Sequence, residues 1–431
     1  MVKDSIGLGL MGLGTVGGGV LEVLTQKAEE LARRVDCPLV LKKILVRDLG
    51  KQRPPATPTR ILTSDFRELL NDPDIDILME VIGGETDAFD FMRQGLLGGK
   101  HIVTANKEVI AKHGAELMRL AARQGLDIRH EASVGGGIPL INPFKEDLAA
   151  NRISAILAII NGTTNYIVTR MAEDNMDFAA ALGEAQRLGY AEPDPANDVE
   201  GIDAAYKLAI LATLAFRTEI RPENIYHEGI SRLSARDFRY ARELGYAIKL
   251  LAIAKEENDA IEVRVHPAFI PENLLLAKVG GVFNAIQVEG DLTGPVIFYG
   301  RGAGALPTAS AVIADVVHIA QNVRLGLRPK PQVLFSSSKN IMPIEQIQTR
   351  YYMRMTIDDH PGVLAQISRI LGDHSISIAS VIQKGADECS QSAEIMIMTH
   401  PALESAVRQA LQETRALPVV REVSNLIRVE G

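Results

Sequence analysis

The chain has 431 residues, 46% apolar and 23% charged, which is too long for one hydrophobic core and ordinary for a soluble globular protein of two or three domains. A formal charge of −8 disfavours a phosphate-coating nucleic-acid binder and favours a small-molecule partner. With Cys37 and Cys389 as its two cysteines and no Cys/His cluster for zinc, the chain is expected in a reducing, cytoplasmic setting. Its apolar runs fall well short of the roughly 20 residues that span a membrane, and no targeting signal is read at the N-terminus.

From the start to about residue 130, short apolar segments alternate with helical patterns. "SIGLGLM", "PLVLKKILV", "IDILMEVI", "KHIVTA" and "LDIRHEA" read as strands. "VLEVLTQKAEELARRV" and "GAELMRLAARQG" read as helices. This alternation predicts a parallel, doubly wound sheet. Its first turn, "SIGLGLMGLGTVGGGV", contains the dinucleotide-binding G-x-G-x-x-G spacing twice. The frame Gly12, Gly14, Gly17 leaves the better strand before it, with Ile6, Leu8 and Leu10 on one face. The N–H groups of Leu13, Gly14, Thr15 and Val16 are then expected to face the pyrophosphate at the positive end of a helix. Gly7 and Gly9 become strand residues, made small by a helix packed on their face. At the end of the second strand Arg47 precedes Asp48, so the extra phosphate of NADP is expected there, with NAD as the alternative.

"IVTANKEV" places Thr104, Asn106 and Lys107 at the carboxyl edge of the sheet, where such folds bind ligands. "HEASVGGGIPL" puts Glu131 before three glycines, either a hinge or a loop that cradles a small cation through backbone oxygens and one carboxylate. From residue 135 to about 320 helices and strands mix differently, predicting a separate α+β domain. In it, "INGTTNYI" turns from strand to helix where a carboxylate can bind. "GYAEPDPANDVEG" clusters Gly189, Glu192, Asp194 and Asp198 in a Pro-rich turn, fitting a substrate that bears an ammonium group. Lys207 follows on an apolar helix, with Asp203 four residues before it and Glu200 placed on the same face. Desolvation there favours a lysine able to exchange a proton near neutrality. "YGRGAGALPTASAV" is a further glycine turn, at Gly302 and Gly304, entering a helix.

Residues 321–349 lack periodicity and read as a linker, and residues 350–431 follow a βαββαβ order. There Tyr351, Met353, Met355 and Ile357 alternate on a strand, and Val363, Leu364, Ile367, Ile370 and Leu371 share a helical face.

The motifs "GLGTVG", "TANK", "HEASVGGGIP", "NGTTNYI", "LGYAEPDPANDVEGIDAAYKLAILA" and "YGRGAGALPTASAV", in this order, make residues 5–325 resemble the homoserine dehydrogenases. "DDHPGVLAQISRIL" and "SISIASVIQK" resemble an ACT regulatory domain. The resemblance implies a Rossmann-type domain over 1–134 completed by a helix around 303–325, a substrate and dimerisation domain over 135–320, and an ACT domain over 350–431. It also implies NAD(P)-dependent interconversion of L-homoserine and L-aspartate 4-semialdehyde, on the route to threonine, methionine and isoleucine. By the same resemblance Lys207 is the acid/base and Lys107 a second essential lysine, with Glu192 and Asp203 binding homoserine and Asp198 supporting them. Gly189 and Gly304 become cofactor contacts, and Glu131 with the carbonyls of Val134, Gly136 and Ile138 a sodium site. An amino-acid effector such as threonine and a homo-oligomer are implied; nucleic acid and membrane are not. Two alternatives stay open, another reductase of an amino-acid semialdehyde and a non-catalytic amino-acid sensor.

Overall fold

The structure is a computed structural model and describes residues 3–54, 57–329, 339–387 and 391–431. Residues 330–338 of the expected linker, and Cys389, lie outside the described residues. The chain forms two compact units. The first comprises Met1–Ser154, Tyr206–Asn224 and Val288–Ser338, and the second Ala155–Ala205, Ile225–Gln287 and Lys339–Gly431.

The first unit is built on six parallel strands, β1 (Ile6–Met11), β2 (Leu39–Leu45), β3 (Leu62–Thr63), β4 (Ile77–Glu80), β5 (His101–Thr104) and β6 (Ile128–Arg129). Their order, β3-β2-β1-β4-β5-β6, is that of a doubly wound nucleotide-binding sheet, whose ligands bind at the carboxyl ends where the order reverses, between β1 and β4. β1 is buried at every residue, as a central parallel strand must be. Ile6, Leu8 and Leu10 meet Val20 and Leu24 of α1 (Thr15–Gln26) and Val312, Val316 and Ile319 of α12 (Ala305–Arg324). α12 lies so close to α1 that a Cβ on Gly19 would stand 2.5 Å from the Ala305 carbonyl oxygen. Also in this unit are α2 (Ala28–Val35), α3 (Arg67–Leu70), α4 (Thr86–Leu97), α5 (Lys107–Gln124) and α6 (Ile141–Lys145), with β12 (Gly294–Arg301) leading to α12.

Three local expectations need correction. The first helix is two, because the backbone leaves the helical region at Lys27 (φ −112°, ψ 20°). β6 stops at Arg129, and Glu131–Ser133 form a 3-10 turn instead of continuing the strand. Gly7 is small because a Cβ there would meet the Asp74 backbone oxygen at 1.6 Å, so the crowding comes from the chain entering β4 and not from a helix. Gly9 faces Leu78 of β4 and Leu69 of α3.

In the second unit the strands follow one another as β11 (Phe283–Gly290), β7 (Ile153–Ile159), β9 (Tyr246–Glu257), β10 (Ala260–Pro271), β18 (Val420–Val429), β14 (Gln348–Asp358), β16 (Ser392–Thr399) and β15 (Ile378–Asp387). The short β8 (Tyr226–His227) and β13 (Asn340–Ile341) pair with β10, and β17 (Ala402–Leu403) with β14. Its helices are α7 (Gly162–Glu173), α8 (Phe178–Arg187), α9 (Ala196–Val199), α11 (Ala235–Glu243), α13 (Val363–Asp373) and α14 (Glu404–Arg415). α10 (Ile202–Phe216) carries residues of both units.

The order β14-α13-β15-β16-α14-β18 is the expected βαββαβ. Tyr351, Met353, Met355 and Ile357 point into one core with Val363, Ile367 and Leu371, whereas Leu364 is 38% exposed and off that face. This ACT fold is not a separate body. β18 pairs in parallel with β10, Ala268 opposite Arg428 and Phe269 opposite Val429, so one run of strands joins it to the α+β domain.

Candidate active site

The glycine turn divides its work among three residues. Gly12 has φ +103° and a Cβ there would be 2.9 Å from the Val81 oxygen, so it makes the turn. Gly14 is the exposed N-cap of α1 with open space beside it, and no side chain caps the helix. Gly17 brings α1 onto the strand end, since its Cβ would be 2.2 Å from the Gly12 oxygen. An uncapped helix start with four spare N–H groups beside an open glycine fits a nucleotide pyrophosphate. The Gly12 N–H donates to the Leu45 carbonyl at 3.0 Å, which brings the end of β2, and the exposed Arg47 two residues on, to the same edge. Arg53 steadies that loop by donating to the carbonyls of Asp48, Leu49 and Lys51.

At the next strand ends lies a polar knot. Glu80, the last residue of β4, is fully buried and accepts the N–H groups of Ile82 (2.9 Å) and Gly83 (3.3 Å) and the Thr104 hydroxyl. Burial pushes its carboxyl above the usual range, and these hydrogen bonds oppose the shift. Asn106 caps α5 by accepting the Val109 N–H at 3.1 Å, while its amide donates to the Gly84 carbonyl at 2.7 Å. Lys107 is thereby fixed as the first residue of α5, half-buried at the carboxyl edge.

The SVGGGIP loop is no hinge. A Cβ on Gly136 would be 2.2 Å from the Gly302 oxygen, one on Gly137 would meet Pro307, and the Gly137 N–H donates to the Arg301 carbonyl. The two glycine turns are thus one packed assembly, with Gly304 (φ +133°) capping α12. The Glu131 carboxylate accepts the N–H groups of Leu140, Ile141 and Asn142 at 2.5–2.8 Å, holding the start of α6. Its own N–H goes to Asp315 of α12 at 2.8 Å. Among the described residues no backbone N–H lies on the carbonyls of Val134, Gly136 or Ile138. Carbonyl oxygens of this kind fit a hard monovalent cation, while the Glu131 carboxylate is already engaged in structure.

In the second unit Asn161 organises the acids. As N-cap of α7 it accepts the Thr164 N–H at 2.8 Å. Its amide donates to Asp198 Oδ1 at 2.7 Å and to Asp203 Oδ2 at 2.8 Å. Asp203 is buried and Asp198 half-buried, while Glu192 is exposed on the turn between α8 and α9. Gly189 (φ +76°) begins that turn, which the Thr163 hydroxyl ties down through the Tyr190 carbonyl. Lys207 is half-buried one helical turn after Asp203 on α10. Glu200 does not share this helix: it caps α9, and Gly201 (φ +81°) separates it from α10.

The family models match in the same order as these elements. Residues 12–131 match the NAD-binding domain of homoserine dehydrogenase, 139–317 the homoserine dehydrogenase domain and 351–419 the ACT domain. The homoserine dehydrogenase of Neisseria gonorrhoeae is 43% identical over 99% of both chains, and that of Bacillus subtilis 40% identical over 99% of both.

The chain belongs to the homoserine dehydrogenase family. A solved homoserine dehydrogenase from Thiobacillus denitrificans, 44% identical, superposes with a TM-score of 0.93 and covers 99% of this chain and 98% of its own. A hyperthermophilic archaeal homoserine dehydrogenase solved in complex with NADPH, 27% identical, has a TM-score of 0.63 over 76% of this chain and all of its own. The activity of the family is NAD(P)-dependent oxidoreduction between L-homoserine and L-aspartate 4-semialdehyde. Among the described residues, no helix is long and apolar enough to cross a membrane.

Sequence reasoning missed Asn161 and Glu80, and it placed Asn106 at the carboxyl edge without reading it as the cap of α5. For Glu80 the signal was a carboxylate inside an otherwise apolar strand; for the two asparagines it was an N-cap residue at a strand-to-helix turn.

Proposed function

We propose that the chain is an NADP-preferring homoserine dehydrogenase in which Lys207 moves the proton. When bound, the nicotinamide supplies the hydride chemistry. Leu13, Gly14, Thr15 and Val16 would hold its pyrophosphate, Arg47 its 2′-phosphate, and Thr104, Lys107, Gly189 and Gly304 the remainder. In the oxidation direction the neutral Lys207 amine takes the hydroxyl proton as hydride leaves the same carbon. Asp203 and Glu192, with Asp198 beside them, bind the homoserine ammonium. The observation that carries this reading is the Asn161 amide holding both Asp198 and Asp203, the latter one helical turn before Lys207 on α10.

The cation of the glycine loop is sodium, held by the carbonyls of Val134, Gly136 and Ile138, with Glu131 fixing the loop. A pathway end product, threonine, binds the ACT domain at the uncapped start of α13, where Gly362 has φ +95° and open space beside it. The enzyme acts as a cytoplasmic homo-oligomer on the route to threonine, methionine and isoleucine. NADPH oxidation with aspartate semialdehyde tests the whole: turnover that Lys207→Ala abolishes is expected, and turnover only on another aldehyde overturns the substrate.

A further inference from the structure

Between the ACT strand β18 and the carboxylate cluster lies a short segment, Tyr226–Ile230, gripped from both sides. On the ACT side, Arg428 of β18 donates to both Glu228 oxygens, Nη1 to Oε2 at 3.0 Å and Nη2 to Oε1 at 3.3 Å. Arg428 is itself held by Glu404 of α14, with Nε to Oε2 at 2.8 Å. Arg408 of α14 donates to the Tyr226 hydroxyl at 2.8 Å, and both guanidinium groups lie over the Tyr226 ring. The Tyr226 hydroxyl in turn donates to Glu228.

On the other side the segment touches α9 with backbone. The Ile230 N–H donates to the Val199 carbonyl at 2.8 Å, and His227 Nδ1 lies 3.0 Å from the Glu200 carbonyl. Gly229 is pressed in so closely that a Cβ would be 2.3 Å from the Val199 oxygen and 2.6 Å from the Glu200 Cα. Gly201, which separates α9 from α10, has the Glu228 carbonyl 3.3 Å from its own Cβ position. Asp198 is the residue just before Val199, and it shares the Asn161 amide with Asp203.

We infer that Tyr226–Ile230 is a strut that positions Asp198 for the substrate, and that Arg428 of the ACT domain sets it through Glu228. The inference rests on the proposed role of Asp198 in binding homoserine. Glu228 is a positioning residue, since it acts on the substrate through α9. Charge-assisted hydrogen bonds hold one end, and close-packed backbone leaves no slack at the other, so movement of β18 reaches Asp198.

Glu228→Ala removes the Arg428–Glu228 part of the grip while Arg428 keeps Glu404 and Arg408 keeps Tyr226, so the fold is retained. The expected result is a roughly ten-fold rise in KM for L-homoserine, with kcat and the KM for NADP within about two-fold. Glu228→Gln, which keeps an acceptor, recovers part of it. Gly229→Ala, pushing α9 away, raises the same KM. Folded Glu228→Ala and Gly229→Ala enzymes with wild-type homoserine KM, beside an Asp198→Asn enzyme whose KM is raised, overturn the strut alone. An unchanged KM in Asp198→Asn removes Asp198 from the substrate site, and the strut's role with it.

Discussion

Asn161 Nδ2 donates to Asp203 Oδ2 at 2.8 Å, joining the first turn of α7 to the first turn of α10 across 42 residues of sequence. The same side chain caps α7 through its oxygen, so one residue both starts a helix and aligns the acids. Asn161→Ala is expected to cost about 1 kcal/mol of stability from the lost cap. It should also raise the homoserine KM about ten-fold or more, because two carboxylates lose their shared donor. Thermal unfolding and steady-state kinetics read the two effects separately.

Lys207→Ala should lower kcat by about 10²- to 10⁴-fold, the usual worth of a positioned proton acceptor. Fluorescence titration should find NADPH binding unchanged, because the cofactor turn belongs to β1 and α1. Wild-type-like turnover would exclude the lysine as the acid/base.

For cofactor choice, the proposed partner of the 2′-phosphate is Arg47, exposed two residues after β2. Arg47→Ala should weaken kcat/KM with NADP by about ten-fold or more while leaving NAD nearly untouched, since a charge-assisted contact is worth ~1.5–3 kcal/mol. Equal losses with both cofactors would mean that Arg47 only shapes the loop.

Gly7→Ala tests the packing of β1. Its Cβ would be placed 1.6 Å from the Asp74 backbone oxygen, which cannot rotate away as a side chain does. A loss of about 3 kcal/mol or more is expected in chemical denaturation. Gly14→Ala, with open space around it, should fold normally and lose cofactor affinity instead.

Asp315 gives the first unit a pH signature. Burial pushes its carboxyl from the ordinary 3.8 up to about 7. The folded state therefore holds this proton more tightly than the unfolded chain does. The resulting stabilisation is complete below 3.8 and is lost as pH rises through about 7. Asp315→Asn keeps an acceptor for the Glu131 N–H and has no proton to lose. Its Tm should fall less than that of the wild type between those pH values, and parallel curves would show that Asp315 titrates normally.

The sequence by itself determined the elements and the family. Continuous apolar strands such as β1 can only be central and parallel, alternation on β14 places one face in a core, and the glycine frame at Gly12 follows from the strand that precedes it. These properties are local, set by neighbours within one or two turns of chain. Tertiary structure decided which polar groups meet. Nothing near Glu131 in sequence says that its carboxylate will hold three N–H groups of α6 and its own N–H go to Asp315, 184 residues away. Nor does the βαββαβ pattern say that Arg428 will reach Glu228 across 200 residues and that β18 will extend the neighbouring domain's run of strands. A buried charge must find a partner or cost several kcal/mol, but which partner it finds depends on the path of the whole chain.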